Sequence, residues 1–145
     1  MTLNVLEIAR KDLVICKTSD TLLFVANAML SRNVGSVLVE SGGDIVGIVT
    51  KNDLLRANLS GRLWKETTAE SVMSHPVAIC NADDTVDEAL DKFQNTHYSR
   101  LAVRDKTGRI VAVVKRKIVE RFARVSTAYD IVRRRAEAST ISRAR

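Results

Sequence analysis

The sequence predicts an α/β fold (α+β in detail): two copies of one strand-helix-strand-strand-helix unit, packed sheet against sheet about a pseudo-twofold axis. Three observations carry this. The chain matches itself at an offset of 64, with Ile15-Cys16 falling on Ile79-Cys80, Asp20-Thr21 on Asp84-Thr85 and Val39 on Val103. One extra residue in the following turn moves the offset to 65, where Ile45-Val46 meets Ile110-Val111, Val49 meets Val114 and Arg56 meets Arg121. The length of 145 residues suits one compact body, and a unit of about 55 residues cannot cover both faces of a three-stranded sheet alone.

Each element follows from local chemistry. Short apolar runs at 13–16 and 77–80 lead into Asp20-Thr21 and Asp84-Thr85, whose side chains can cap a helix. Thr85 and Glu88 have capping-box spacing. Helical spacing then aligns Leu22, Val25, Ala26 and Met29 in the first copy, and Val86, Ala89, Leu90 and Phe93 in the second. Two β-type runs follow in each copy, 36–39 with 45–49 and 101–103 with 110–114, joined around Gly42-Gly43 and Lys106-Thr107-Gly108. The closing helices start at Lys51 and near Arg116. Trp64 anchors the linker to the core; Thr67 and Glu70 can box a short helix ending at Met73, and Pro76 imposes an extended path into the second copy. The first unit with its linker spans 1–66 and the second 67–125. A basic amphipathic helix and tail occupy 126–145, continuing an apolar stripe through Phe122, Val125, Tyr129, Val132 and Ala136.

Composition narrows the function. A hydrophobic share of 46%, a charged share of 28%, six Gly and one Pro exclude a disordered or collagenous chain. The longest apolar stretch, 22–30, is broken by Asn27, and Met1-Thr2-Leu3-Asn4 opens no signal peptide, so the expectation is a cytoplasmic protein without a membrane span. Two Cys and the separated His75 and His97 lack metal or disulfide spacing, and Cys16 and Cys80 read as core residues. The net charge of +6 divides into +7 over 115–145 and −1 before it. Arg133-Arg134-Arg135, Arg143 and Arg145 could serve nucleic acid or an acidic partner, but a charge run is more often a solvated face. No nucleophile stands beside a base, which argues against an enzyme.

One junction carries chemistry. Gly47-Ile48-Val49-Thr50-Lys51-Asn52-Asp53 sits where a buried strand becomes a helix. Asp53 can accept from both hydroxyls of a ribose, Thr50 offers a hydroxyl, and Gly47 allows close backbone approach. Thr and Asp at a helix start are equally the residues of a cap.

Together with the second copy's Val72-Met73-Ser74-His75-Pro76-Val77, Asp84-Thr85-Val86-Asp87-Glu88-Ala89 and Arg100-Leu101-Ala102-Val103, this junction resembles the CBS-domain (cystathionine β-synthase domain) family over roughly residues 7–124. The resemblance implies a tandem CBS pair, or Bateman module, that regulates rather than catalyses and holds an adenosine compound (AMP foremost, or ADP, ATP or S-adenosylmethionine) between its copies. Carried over, the intact cleft joins Thr50, Asp53 and Ile48 to the backbone of Val77 and Ala78 and to Tyr98, Ser99 and Arg100, with Arg100 as phosphate partner. In the second copy Ala112, Lys115 and Ile118 replace Gly47, Thr50 and Asp53, so the ribose acceptor is missing there. Lys115 and Arg116 are expected to reach phosphates in the first cleft. The family also implies a homodimer, a flat disk of four units, acting on a regulated protein the sequence does not name. The rival readings are nucleic-acid binding through the basic helix and a ligand-free structural adaptor.

Overall fold

The computed structural model describes residues 3–143. Its elements run α1 (Val5–Ile8), β1 (Ile15–Lys17), α2 (Leu22–Arg32), β2 (Ser36–Ser41), β3 (Asp44–Thr50) and α3 (Lys51–Leu59), then α4 (Ala69–Val72), β4 (Ile79–Asn81), α5 (Val86–Phe93), β5 (Arg100–Arg104), β6 (Ile110–Lys115) and α6 (Arg116–Arg143). They form two three-stranded sheets, β1-β2-β3 and β4-β5-β6. In each, the middle strand runs parallel to the first and antiparallel to the third. Both hairpins slip register at the same place, between Val39 and Glu40 and between Val103 and Arg104. Beyond the slip Glu40 faces Ile45 but Arg104 faces Ile110, so the second turn holds the extra residue that shifts the repeat offset. The Asp105 carboxylate ties that turn, accepting from the amides of Thr107 (2.9 Å) and Arg109 (3.1 Å).

Strand alternation sends neighbouring side chains to opposite faces. Val37 and Val39 join Leu22, Val25 and Met29 beneath the first half's helices, while Leu38 and Ile48 meet Val113 between the sheets. Phe93, Val86, Val103 and Val119 fill the second half. Fully burying one such side chain is worth about 1.5–3 kcal/mol.

The lead-in segments cross over. Val5 of α1 packs into the second half's core, with its amide donating to the Asp84 carbonyl (2.8 Å). Ala69 of α4 is buried in the first half's core, with its amide donating to the Asp20 carbonyl (2.8 Å). Each half therefore completes its core with the segment that precedes the other.

The caps differ in detail from the sequence expectation. Thr21 and Thr85 cap α2 and α5, while the Asp20 and Asp84 carboxylates turn back to the amides of Lys17 (2.7 Å) and Asn81 (2.9 Å). Glu88 meets the Thr85 hydroxyl (3.3 Å), which leaves that capping box one-sided. Thr67 does not box a helix with Glu70: its hydroxyl donates to the Leu63 carbonyl (2.7 Å), and α4 begins after Thr68 without a side-chain cap. The His75–Pro76 peptide is cis. Trp64 packs on the first core, and its indole N–H meets no acceptor among the described residues. Burial pushes the thiols of Cys16 and Cys80 up to about 11, which leaves both protonated in the core. The last helix is continuous with the second unit. Val119 and Ala123 are buried, but Val125, Tyr129, Ile131 and Val132 are exposed. Arg145 and the side chain of Arg143 lie outside the described residues.

Candidate functional site

The strand-to-helix junction β3–α3 is closed by a reciprocal cap. The buried Asp53 carboxylate takes the Thr50 amide (2.7 Å) and hydroxyl (3.1 Å) on Oδ2, while the Asp53 amide donates to Thr50 Oγ1 at 3.4 Å. Oδ1 has only a 3.4 Å contact from Nη1 of Arg56, a largely exposed side chain. One carboxylate oxygen is thus committed to the fold and the other is weakly engaged. The room beside Gly47 is occupied by Met73, whose sulfur a Cβ at position 47 would strike. Ile48 is buried between the sheets, and its backbone pairs with Ser74 in both directions (3.1 and 2.9 Å).

Arg100 opens β5 directly opposite Lys115 on β6. Its guanidinium lies against Gly35, with Nη2 2.6 Å from where a Cβ there would stand, so any side chain at 35 would displace it. Burial lowers the Arg100 pKa while the Asp53 charge opposes that shift, which places the two groups in one electrostatic neighbourhood. The remaining expected residues are less free. Val77 and Ala78 are half-buried, and the Ala78 carbonyl is bonded by Ala102 (2.9 Å). Tyr98 is exposed, and Ser99 accepts from Arg100 Nη1 at 3.4 Å. Arg116 does not reach for a ligand: its guanidinium pairs with Glu120 (3.1 Å), donates to the Thr96 carbonyl (2.9 Å) and lies over the Phe93 ring.

A cavity of about 300 Å³ opens on the other side of Arg100, in the cleft whose ribose acceptor is missing. Arg10, Arg100 and Lys115 line it above Leu38, Val113 and Ile118. Lys115 thus lines the second cleft rather than extending toward the first. Burial lowers its pKa, and the charges of Arg100, Arg10, Lys51 and Lys117 lower it further. The single lining acid, Asp12, is paired with Arg32. Arg10 was not legible as a site residue, although the repeat offset offers a signal: it stands where the second copy has Ser74.

Fold and junctions together define a tandem α/β pair with two unlike clefts between its halves. The CBS-domain family model matches residues 5–60 and 69–123, and the chain belongs to that family. It is similar to the uncharacterized protein MK0525 of Methanopyrus kandleri, 30% identical over 78% of this chain and 59% of that protein. It is also similar to the CBS domain-containing protein CBSCBSPB5 of Arabidopsis thaliana, 33% identical over 66% of this chain and 18% of that one. The chain therefore spans well under two thirds of these relatives. Among solved structures, the CBS domain pair of protein MJ0100, in complex with 5′-methylthioadenosine and S-adenosyl-L-methionine, superposes with a TM-score of 0.74. It is 21% identical and covers 87% of this chain and 99% of that one. Among the described residues no helix is long and apolar enough to cross a membrane.

Proposed function

We propose that the chain is a non-catalytic regulatory module that binds an adenine nucleotide, AMP foremost, in the cleft at the β3–α3 junction. The observation that carries this is Asp53: a buried carboxylate with one oxygen held by the Thr50 cap and the other weakly engaged, beside the cation of Arg100. Oδ1 would accept from the ribose hydroxyls and Arg100 would fork onto the phosphate. The adenosine compounds in the MJ0100 complex support the adenosine part of the reading. The Arg100 cation at this cleft favours a nucleotide that carries a phosphate over the cationic sulfonium of S-adenosylmethionine. Binding across the halves would favour one of their arrangements and so alter how the module pairs with a partner. A second copy is the partner best supported, because Leu30, Leu55 and Leu59 are exposed beside an apolar groove on the first half's helices.

The test is calorimetry with AMP. Asp53→Asn keeps the cap's shape and removes the charge, and is expected to weaken binding roughly 5- to 150-fold, about 1–3 kcal/mol. AMP should also raise the melting temperature of the unaltered chain. Equal affinity in a folded Asp53→Asn variant would remove Asp53 from the site.

A further inference from the structure

We infer that the second cleft is a separate site for a diphosphate-type anion, held through Arg10, Arg100 and Lys115 and without recognition of a ribose diol. The inference deepens the proposed function by naming the ligand chemistry of the other cleft, and rests on that reading only in treating the clefts as ligand sites.

Three facts converge on it. Arg100 and Lys115 are directly opposed across an antiparallel pair, where like charges destabilise a sheet. Arg10 brings a third cation to the same wall from the segment before β1, and the one acid in the lining is already held by Arg32. No free acid stands among the described residues of the lining, and Asp53 acts on Arg100 only from the side of the first cleft; the three cations are gathered around a cavity of about 300 Å³, the small end of the range for ligand pockets. A doubly or triply charged phosphate group satisfies such a cluster, because guanidinium forks and an ammonium point charge are the usual phosphate donors. Where the first cleft has the ribose-competent Asp53, this one has Ile118, an apolar wall with no acceptor. The cleft therefore selects for phosphate charge and is indifferent to sugar hydroxyls.

The experiment is calorimetry on the full chain with inorganic pyrophosphate and, separately, AMP. Pyrophosphate should bind the unaltered chain, and Lys115→Ala should weaken it roughly 10- to 150-fold. Asp53→Asn should not weaken pyrophosphate binding, because the charge it removes opposes an anion at Arg100. Arg133→Ala, on the exposed far part of α6, should leave pyrophosphate binding within about twofold, which separates the cleft from that arginine of the basic helix. No pyrophosphate binding, an unaffected Lys115→Ala variant, an equal loss in Arg133→Ala, or an equal loss in Asp53→Asn would each overturn the inference. If pyrophosphate binds through Lys115 while AMP does not bind at all, this site stands and the AMP reading of the first cleft fails.

Discussion

The two clefts share a backbone and differ in the side chains at their rims. Ile48 pairs with Ser74 through two backbone bonds, and Val113 pairs with Arg10 at the equivalent register (2.8 and 3.0 Å). On that common frame the first cleft presents Thr50 and Asp53, and the second presents Lys115 and Ile118. Gly47 packs against Met73 in the first half, and the second half carries Ala112 and Ala9 at the corresponding positions. A duplicated fold keeps its hydrogen-bonded scaffold because backbone pairing tolerates most side chains, whereas charge at the rims is free to diverge. One cleft has become an acid-bearing rim and the other a basic one.

The Gly47–Met73 contact can be broken most severely. Gly47→Ala forces the Met73 sulfur out of its place, and urea denaturation should show a loss of about 1–3 kcal/mol. Adding Met73→Ala gives the first half the residues that the second carries at these positions, Ala112 and Ala9. The double variant should recover part of the loss, with a coupling of about 0.5–3 kcal/mol between the two positions. Strict additivity would mean that Met73 does not fill the space and that Gly47 is there for another reason.

Much of this architecture was legible. The repeat offset gave both sheets, and its change from 64 to 65 located the longer second turn correctly, because an insertion between paired strands leaves the pairing on either side intact. The crossed packing of α1 and α4 was not legible: both are single turns of four residues, too short for a periodic signal, and their place is set by contacts with distant parts of the chain. The first rim could be read because Thr50 and Asp53 are three residues apart on one helix start. The basic cavity could not, since residues 10, 100 and 115 come from three separate segments that only the paired sheets bring together.

A smaller contrast separates the two turns that enter α2 and α5. Asp20 and Asp84 make the same backbone bond, but only Asp84 also takes an ammonium, from Lys92 at 2.7 Å, where the first half has Ala28. Burial alone would raise the Asp84 carboxyl, and the bonds from Lys92 and the Asn81 amide outweigh it, holding it below the usual carboxylate range. Because the folded value is depressed, this stabilisation is complete above the unfolded pKa of about 3.9 and is lost as pH falls through the folded value. Asp84→Asn should therefore cost about 1 kcal/mol near neutrality and flatten the acid limb of the stability curve. Asp20→Asn, which touches the same backbone bond without an ammonium partner, should cost less near neutrality; an equal cost would show that Lys92 adds nothing.

The smallest effect has the opposite sign and speaks most directly to the second cleft. Without ligand, Lys115 faces Arg100 across the sheet and is repelled by Arg10 as well, so Lys115→Ala should raise stability by roughly 0.2–1 kcal/mol. Since burial and these neighbours depress the Lys115 pKa, the folded protein releases that proton before the unfolded chain does. Between the two values the unfolded state binds more protons, and stability conferred by losing the charge grows as pH rises. The advantage of Lys115→Ala should accordingly be largest near neutral pH and shrink in alkaline buffer. Saturating pyrophosphate should reverse the order of the two proteins, because a bound anion stabilises the chain that retains the lysine. A variant no more stable than the parent at neutral pH would mean that the repulsion is already relieved within the fold, and the second cleft would lose its claim to be held open for an anion.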